Sequence, residues 1–384
     1  MGRILKRFVF GLGAIVIICT SVQAQIFTRT LLIPDSLSGV VNPQCALYEP
    51  ENDKIFVAGN LGRCLLIIAA GTLNRIKRVP VPAGVRIMAL DQARARVYVP
   101  IFDSSVVVVV DAGTDSLLCR LQTAWAPSAI AFSPRTNRMY VPCQFSDSLI
   151  IIDALSMSVC GYIRLIRGLD AIAVNPVAGK VYVSSVAHDS VWVIDDSSRG
   201  LVKVIPVAAD PCYLLAVPEL NKVFCACRSS DEVCVIDGIT DSVIARVVTG
   251  NVPQNLVYNP ANQCVYVANW QDTSVSVIDG MLNRLVTQIR VGINPITMVV
   301  APAESLLYCT NRASNTISVI DCRTQEVITT LPVGVTPLAL TLISRHNQVV
   351  SLGEVDNRLV VIDCRTNQID AKSMSGCHLF ASSG

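Results

Sequence analysis

The sequence predicts an all-β fold, a β-propeller of four-stranded antiparallel blades, with eight blades favoured and seven as the alternative. Two columns of residues recur at one spacing along the chain, and each repeating unit contains four short β-prone runs. A period of about 40 residues is typical of repeat proteins, and four strands per unit fit one propeller blade. An α-solenoid of this period would need helical spacing of the apolar residues, which is absent.

The first column is an acid that ends one β-prone run of each unit. Its members lie 42 residues apart without an insertion: Asp111, Asp153, Asp195, Asp237, Asp279, Asp321 and Asp363. Ala69 holds the same place in the earliest unit. Because an active site needs one residue in one place, this repetition argues against catalysis. Asp shortly before Gly, Thr or Asn is typical of an Asx-turn, in which the carboxylate accepts backbone N–H groups.

The second column is aromatic and lies thirteen residues before the first. Its members are Phe56, Tyr98, Tyr140, Tyr182, Phe224, Tyr266 and Tyr308, and Val350 interrupts it. Together the columns define eight units that start at Pro43, Val85, Pro127, Leu169, Pro211, Pro253, Pro295 and Pro337. We therefore expect one domain over residues 25–384, with the 42-residue repeats running from about residue 43 to 378.

One unit shows the strand pattern. Residues 254–258, 264–268, 274–278 and 285–291 are rich in β-branched residues, and turn-forming pairs such as Asp279-Gly280 separate them. Blades packed side by side bury both faces of each sheet, so their strands read as continuous apolar runs. This packing accounts for a chain with 52% hydrophobic and 16% charged residues.

The N-terminus has the pattern of a signal peptide over residues 1–24. Basic residues precede the apolar run 8–19, and Val22-Gln23-Ala24 provides small residues for cleavage after Ala24. An uncleaved anchor is the alternative, but twelve residues span only about 18 Å as a helix. A lipid on Cys19 is disfavoured because Ile17 and Ile18 precede it. We expect a secreted, periplasmic or cell-surface monomer without a membrane span after cleavage.

A closed ring needs an outer strand for its last blade, since an open edge invites misassociation. The β-prone run 27–33, ahead of the first unit, can supply that strand by pairing with the last unit. The rival segment is 368–373, which is less apolar.

The repeat motif resembles a known family. Val265-Tyr266-Val267-Ala268-Asn269, followed by residues 274–279, is similar to the YVTN-repeat, YncE-like β-propellers. The resemblance covers about residues 43–376; residues 308–311 match best and residues 350–353 depart most. It implies an extracytoplasmic or surface propeller without a common reaction. Propellers of this type commonly have seven blades, which keeps that alternative open.

The mouth of the central channel is the predicted place for a small-ligand site, because the innermost strands converge there. The residues that open the first strands are Gln44, Arg86, Ser128, Asp170, Cys212, Gln254, Ile296 and Leu338. Among them we select Gln44, Arg86, Asp170 and Gln254 as candidate ligand-binding residues. Arg86 and Asp170 are the charged members, and they can form an ion pair or hold a ligand carboxylate and hydroxyl.

A second candidate is a ring of acids in the loops between the second and third strands. Its members are Asp103, Asp147, Asp189, Asp231, Asp272 and Asp356, with Glu232 beside Asp231. Such a ring would attract a cation or a basic partner. The alternative is turn capping on a solvated rim, and acids spread around a ring do not converge on one ion as calcium requires.

Catalytic and metal-binding patterns are weak. The three histidines, His188, His346 and His378, lie in no metal-ligand or nucleophile motif, so we predict no catalytic residue, metal or cofactor. The fourteen cysteines after residue 24 are scattered over the repeat and read as mostly free, buried thiols. Cys225, Cys227 and Cys234 are the exception, since one hairpin brings them together for a disulfide or for zinc.

The sequence favours an exported, non-enzymatic scaffold that binds an envelope or extracellular protein or a small ligand. The alternative is an exported enzyme, lactonase-like or another hydrolase or lyase, with its site at the channel mouth. Cleavage after Ala24 leaves 28 Lys and Arg against 29 Asp and Glu without a basic run, so nucleic acid is not an expected partner. An enzyme would gather acids, Asn or His in the channel, whereas a scaffold would expose apolar or aromatic residues on a loop face.

Overall fold

Eight antiparallel sheets, one from each 42-residue unit, form a propeller ring in the computed structural model. The structure describes residues 30–32, 40–334, 336–355 and 358–369. Within them the helical elements are three single 3₁₀ turns, Gln92–Arg94, Pro218–Leu220 and Arg228–Ser230. The all-β prediction and the choice of eight blades are therefore confirmed. The described part of the chain has no helix long and apolar enough to cross a membrane.

Each blade runs from an inner first strand to an outer fourth strand, and first strands of successive blades contact one another around the channel. The strands of blades 1 to 4 are Pro43–Glu49, Lys54–Gly59, Cys64–Ala69 and Arg75–Pro80; Ala89–Asp91, Arg96–Ile101, Val106–Asp111 and Ser116–Gln122; Ala131–Ser133, Arg138–Pro142, Ser148–Asp153 and Ser158–Arg164; Leu169–Asn175, Lys180–Ser185, Ser190–Asp195 and Leu201–Pro206. Those of blades 5 to 7 are Pro211–Val217, Lys222–Cys227, Glu232–Asp237 and Ser242–Val248; Pro253–Asn259, Cys264–Asn269, Ser274–Asp279 and Arg284–Arg290; Pro295–Ala301, Leu306–Asn311, Thr316–Asp321 and Glu326–Pro332. Blade 8 contains Pro337–Ile343, Gln348–Gly353 and Arg358–Asp363.

Two short segments complete the outer edge of blade 8. Thr30–Leu32 pairs antiparallel with one half of Arg358–Asp363, with Leu31 opposite Leu359. Gln368–Ile369 pairs with the other half of the same strand. The predicted pairing of the N-terminal run with the last unit is confirmed, and the rival segment contributes as well. Each segment covers only part of the six-residue strand Arg358–Asp363. The segment before the first repeat and the segment at the end of the last repeat therefore close the ring together.

The aromatic column lies in the contacts between blades. All seven aromatic side chains are fully buried. Tyrosine hydroxyls in this column reach the next blade: Tyr140 Oη donates to Asp196 Oδ1 at 2.7 Å, and Tyr308 Oη donates to Asn367 Oδ1 at 2.9 Å. The aromatic repeat therefore joins neighbouring blades as well as filling their interior.

A row of cations adds a second link between blades. In blades 1 to 5 the residue that begins the second strand donates to a backbone carbonyl of the next blade at 2.6–2.9 Å. These residues are Lys54, Arg96, Arg138, Lys180 and Lys222. In blades 6 and 7 the position holds Cys264 and Leu306, which lack a cationic donor.

The acidic column forms the predicted Asx-turns. Each carboxylate accepts the backbone N–H of a residue two or three positions later, as in Asp153 with Ser156 at 2.7 Å and Asp195 with Ser198 at 2.6 Å. The backbone hydrogen bond from Ser156 lowers the pKa of Asp153. The same pattern recurs at Asp111, Asp237, Asp279, Asp321 and Asp363. This column is structural.

We call one side of the disc the loop face; it comprises the loops between second and third strands and the connections between blades. There the residue after each second strand donates its N–H at 2.8–3.0 Å to a carbonyl just before a first strand. All eight acceptor residues have positive φ: Asn42, Gly84, Ala126, Gly168, Asp210, Val252, Asn294 and Thr336. β-Branched side chains are strained in this conformation, so Val252 and Thr336 reduce the stability of the folded protein at these two positions.

Candidate functional site at the channel mouth

The residues that open the first strands lie where those strands are irregular. In six blades the pairing of the first with the second strand shifts at this point, as between Leu169 and Ile172. In blades 2 and 3 only a single bridge forms at Val85 or Pro127, and regular pairing resumes at Ala89 or Ala131. Bulges of this kind redirect side chains and are common beside functional sites.

A cavity of about 200 Å³ lies on the channel wall at the first strands of blades 2 to 5. Its walls are largely apolar, and its polar side chains include those of Ser128, Asp170 and Tyr213. The remaining lining residues are Ile87, Ala129, Ile130, Ala171, Ile172, Cys212 and Leu214. The cavity coincides with the interrupted strands of blades 2 and 3.

Asp170 is the acid in this cavity. Its side chain is half-buried, and the contact it makes is with Gln144, whose Nε2 lies 3.4 Å from Asp170 Oδ1. Burial is the largest effect on the pKa of Asp170, and it raises this pKa. The positive charge of Arg228 lowers the pKa, the negative charge of Asp210 raises it, and the positive charge of Arg86 lowers it; the net shift is upward. The attraction of the two arginines is therefore too weak to offset the effect of burial on the Asp170 carboxylate.

Arg86 is exposed and stacks on an aromatic ring. Its guanidinium carbon lies 3.4 Å from the centroid of Phe102, and Phe102 packs edge-on against Phe145 with centroids 5.8 Å apart. The face of an aromatic ring attracts a cation. Among the described residues Arg86 and Asp170 form no ion pair with each other. The ion-pair alternative is therefore not what the structure shows.

The two predicted glutamines lie at the same register but outside the cavity lining. The Gln44 amide donates to the side-chain oxygen of Asn42. Gln254 Oε1 is buried and has no hydrogen-bond partner within the described part of the chain. Of the four selected residues, Asp170 is the one that lines the cavity.

A second ring at the channel mouth was missed by the sequence analysis. It consists of the residues that follow the second strands: Asn60, Phe102, Gln144, Val186, Arg228, Trp270, Arg312 and Glu354. Phe102 contacts Arg86, and Gln144 contacts Asp170. These residues recur at the same 42-residue spacing, sixteen positions after the predicted ring. The 42-residue spacing could have identified this second ring if the residues after the second strands had been placed on the same side of the disc as those that open the first strands.

Two arginines of this second ring are engaged by acids. Arg228 makes a bidentate contact with Asp210, from Nε at 2.8 Å and from Nη2 at 3.0 Å. Arg312 Nη2 lies 2.7 Å from Glu354 Oε2. Neither arginine therefore forms an ion pair with Asp170.

Most acids of the predicted loop ring bind neighbouring groups. Asp189 and Asp231 accept the backbone N–H of Asp210 and Val252, at 2.9 and 2.8 Å. Asp147 pairs with Arg164 at 2.7 Å. Asp272 accepts the N–H of Thr273 and the hydroxyl of Ser274, Asp103 is exposed, and Asp356 lies outside the described residues. The contacts observed are those of turn capping.

The structure does not gather metal ligands within the described ranges. No group of three or more His, Cys, Asp or Glu there could hold a metal ion. Thirteen cysteines of the same ranges are free thiols. Cys227 Sγ lies 3.9 Å from Cys225 Sγ and 3.8 Å from Cys234 Sγ, and all three are buried. The hairpin therefore brings these three thiols together as predicted, in reduced form.

Aromatic side chains are exposed on the loop face beside Arg86. Trp125 is 63% exposed and Phe145 is 59% exposed. Their backbone segments are joined, because Gln144, next to Phe145, donates its N–H to the carbonyl of Ala126, next to Trp125. We call these two exposed residues, together with the buried Phe102 on which Phe145 packs, the aromatic patch.

Comparison with known proteins agrees with this architecture. Residues 59–377 match the family described as YncE-like β-propellers. The chain belongs to the YncE-like β-propeller family. Comparison with curated proteins gave no match.

Solved structures similar to this YncE-like propeller share its fold at low sequence identity. Hydrazine synthase of Kuenenia stuttgartiensis is 15% identical, with a TM-score of 0.61 over 85% of this chain and 96% of that one. The dihydro-heme d1 dehydrogenase NirN, in complex with DHE, is 14% identical, with a TM-score of 0.71 over 90% and 77%. A functionally unknown protein of Desulfotomaculum acetoxidans DSM 771 is 14% identical, with a TM-score of 0.58 over 70% and 92%.

Proposed function

We propose that this YncE-like propeller is an exported, non-enzymatic scaffold that binds a protein partner at the cell envelope through its loop face. The observation that carries the proposal is the aromatic patch with Arg86 beside it. Large exposed aromatic groups together with arginine are enriched in protein interfaces and in their energetic hot spots. The basic, apolar and small-residue pattern of residues 1–24 supports export.

The opposite face provides a matched control for the binding test. Ile239 is 76% exposed in the turn that follows Asp237, away from the loop face. Trp125→Ala with Phe145→Ala is compared with Ile239→Ala in quantitative capture from envelope extract, followed by binding to the purified partner. We expect the patch variant to lose at least tenfold in affinity while the Ile239 variant stays within twofold. Equal affinity of all three proteins would contradict the proposal.

Export has its own test. The full chain is expressed in a bacterial host, the cells are fractionated, and the N-terminus of the product is sequenced. We expect an extracytoplasmic product that begins at Gln25. A cytoplasmic product that retains residues 1–24 would overturn the exported part of the proposal and leave the binding test standing.

The alternative function, an exported enzyme with its site at the channel mouth, is favoured by the cavity that contains Asp170. A hydrolase or lyase needs a nucleophile or base aligned with its reacting atoms. Asp170 is the one acid in the cavity lining, and no histidine is present there. Turnover of a lactone or ester panel that is lost in Asp170→Asn would favour this alternative.

A further inference from the structure

We propose that the channel cavity binds a small organic cation through its primary ammonium group, with the Asp170 carboxylate as the counter-ion. The site lies on the channel wall among blades 2 to 5 and does not include the aromatic patch. This proposal therefore does not depend on the partner-binding function of the loop face.

Asp170 breaks a hydrogen-bonding pattern that its neighbours follow. At the same register, Ser128 Oγ donates to the carbonyl of Asp170 at 3.0 Å, and Cys212 Sγ donates to the carbonyl of Pro253 at 3.4 Å. An ionised carboxylate has no proton to donate, so Asp170 cannot make the corresponding link. The Asp170 carboxylate is therefore not used in the contact between blades 4 and 5 and is available to a ligand.

The acceptor capacity of Asp170 is largely unused. Its contact with Gln144 Nε2, at 3.4 Å, is longer than the 2.7–3.2 Å of ordinary N–H···O bonds. A carboxylate offers about four lone-pair sites. An ammonium group supplies three donors, so it can satisfy the oxygens that border the cavity.

The two arginines near Asp170 are held by other groups. Arg228 is held by both oxygens of Asp210, and Arg86 stacks on Phe102. A buried charge is costly without a contacting partner, and here the nearby cations are occupied elsewhere. An ammonium group in contact with Asp170 would supply the missing partner.

The walls and the volume limit the rest of the ligand. Side chains of Ile87, Ile130, Ile172 and Leu214 line the cavity. These groups suit a short hydrocarbon chain. The volume of about 200 Å³ is below the roughly 300–1,000 Å³ typical of sites for drug-sized molecules. The expected ligand is a short alkylamine, or an amino acid of similar length that carries the same ammonium group.

The test compares n-butylammonium with n-butanol, a neutral molecule of similar shape, by calorimetry on the folded protein at pH 7. We expect saturable binding of the amine and binding of the alcohol at least tenfold weaker. Asp170→Asn should reduce amine affinity at least tenfold, whereas the control Asp103→Asn, an exposed acid of the loop face, should not change it. Equal binding of amine and alcohol, or an unaffected Asp170→Asn variant, would overturn the proposal.

Two further measurements complete the design. Norvaline binding tighter than the amine would identify an amino acid as the ligand, and tighter amine binding would identify a simple amine. Should Asp170→Asn fail to fold, the carbon chemical shift of Asp170 in the wild-type protein gives its pKa with and without amine. We expect the amine to lower this pKa, and an unchanged pKa at saturating amine would refute the assignment.

Discussion

The contact between blades 3 and 4 contains a carboxylate whose removal gives a quantitative test of how the blades are joined. Asp196 is fully buried, and it accepts hydrogen bonds from the hydroxyls of Ser133, Thr136 and Tyr140, each at 2.7 Å. The variant is Asp196→Ala. Alanine fits the backbone here, because Ala70, Ala112 and Ala154 hold the equivalent place in blades 1 to 3.

The magnitude follows from which hydroxyls lose their partner. Thr136 is half-buried and can turn to water, and Tyr140 Oη keeps the backbone carbonyl of Asp196, at 3.1 Å, as an acceptor. Ser133 is fully buried and is left without its carboxylate partner. An unsatisfied buried polar group costs about 1–3 kcal/mol, and a hydrogen bond to a charged group contributes about 1.5–3. We expect a loss of about 2–3 kcal/mol in the free energy of unfolding.

Urea unfolding followed by circular dichroism measures this loss as a lower midpoint at an unchanged slope. Asp103→Ala, which removes an exposed acid, is the control and should stay within about 0.5 kcal/mol of wild type. Adding Ser133→Ala to Asp196→Ala should recover part of the loss, because the buried hydroxyl left without a partner is then removed. A midpoint for Asp196→Ala equal to that of wild type would refute the reasoning.

Three further predictions concern other joints of the ring. Val252 has φ 58°, and Val252→Asn, the residue found at the equivalent Asn294, should raise the free energy of unfolding by about 1 kcal/mol and so raise the urea midpoint; an unchanged or lower midpoint would contradict the strain argument. Asp53 bonds to His346 at 2.8 Å across the contact of blades 8 and 1; burial raises its pKa, but hydrogen bonds from His346 and Tyr48 outweigh this and lower the pKa. The stability from Asp53 is therefore present at neutral pH and lost as pH falls through the lowered pKa, so the melting temperatures of Asp53→Asn and wild type should converge once the pH is well below that pKa, and a difference that persists there would exclude this ionisation. Deleting residues 25–34 removes the Thr30–Leu32 pairing and should lower the melting temperature, whereas an unaltered melt would show that Gln368–Ile369 suffices for closure.

The sequence predicted the fold because the same pattern of turns and buried residues recurs in eight consecutive units. The Asp column needs an Asx-turn and the aromatic column needs a buried contact, and the structure shows both. Closure by the N-terminal run was also predicted, because a closed ring needs an outer strand for its last blade. Residues 368–373 were predicted only as a rival to this run, and the sequence did not show that the two segments would each pair with part of the same strand.

The channel mouth could be predicted only in part. Register placed Arg86 and Asp170 at the mouth, since the first residue of each inner strand occupies the same point of its blade. The partners of Arg86 and Asp170 belong to the second ring, sixteen positions later in the repeat. Which member of that ring each side chain reaches depends on the irregular start of the first strand and on the spacing between blades. Arg86 meets Phe102 of its own blade, whereas Asp170 meets Gln144 of the preceding blade. Sequence spacing alone does not distinguish these two cases.

Several departures from the repeat lie in blades 2 to 4. The inner strands of blades 2 and 3 are interrupted, Asp170 stands in blade 4, and the aromatic patch and Asp196 lie in the same sector. Blades 5 to 7 keep seven-residue inner strands. Since a ring closes equally well from identical blades, closure alone gives no reason for these irregularities to share one sector. The two proposed binding sites would give one, because a cavity and an exposed patch need different residues at neighbouring points, and the interruption of two adjacent strands opens the space between them.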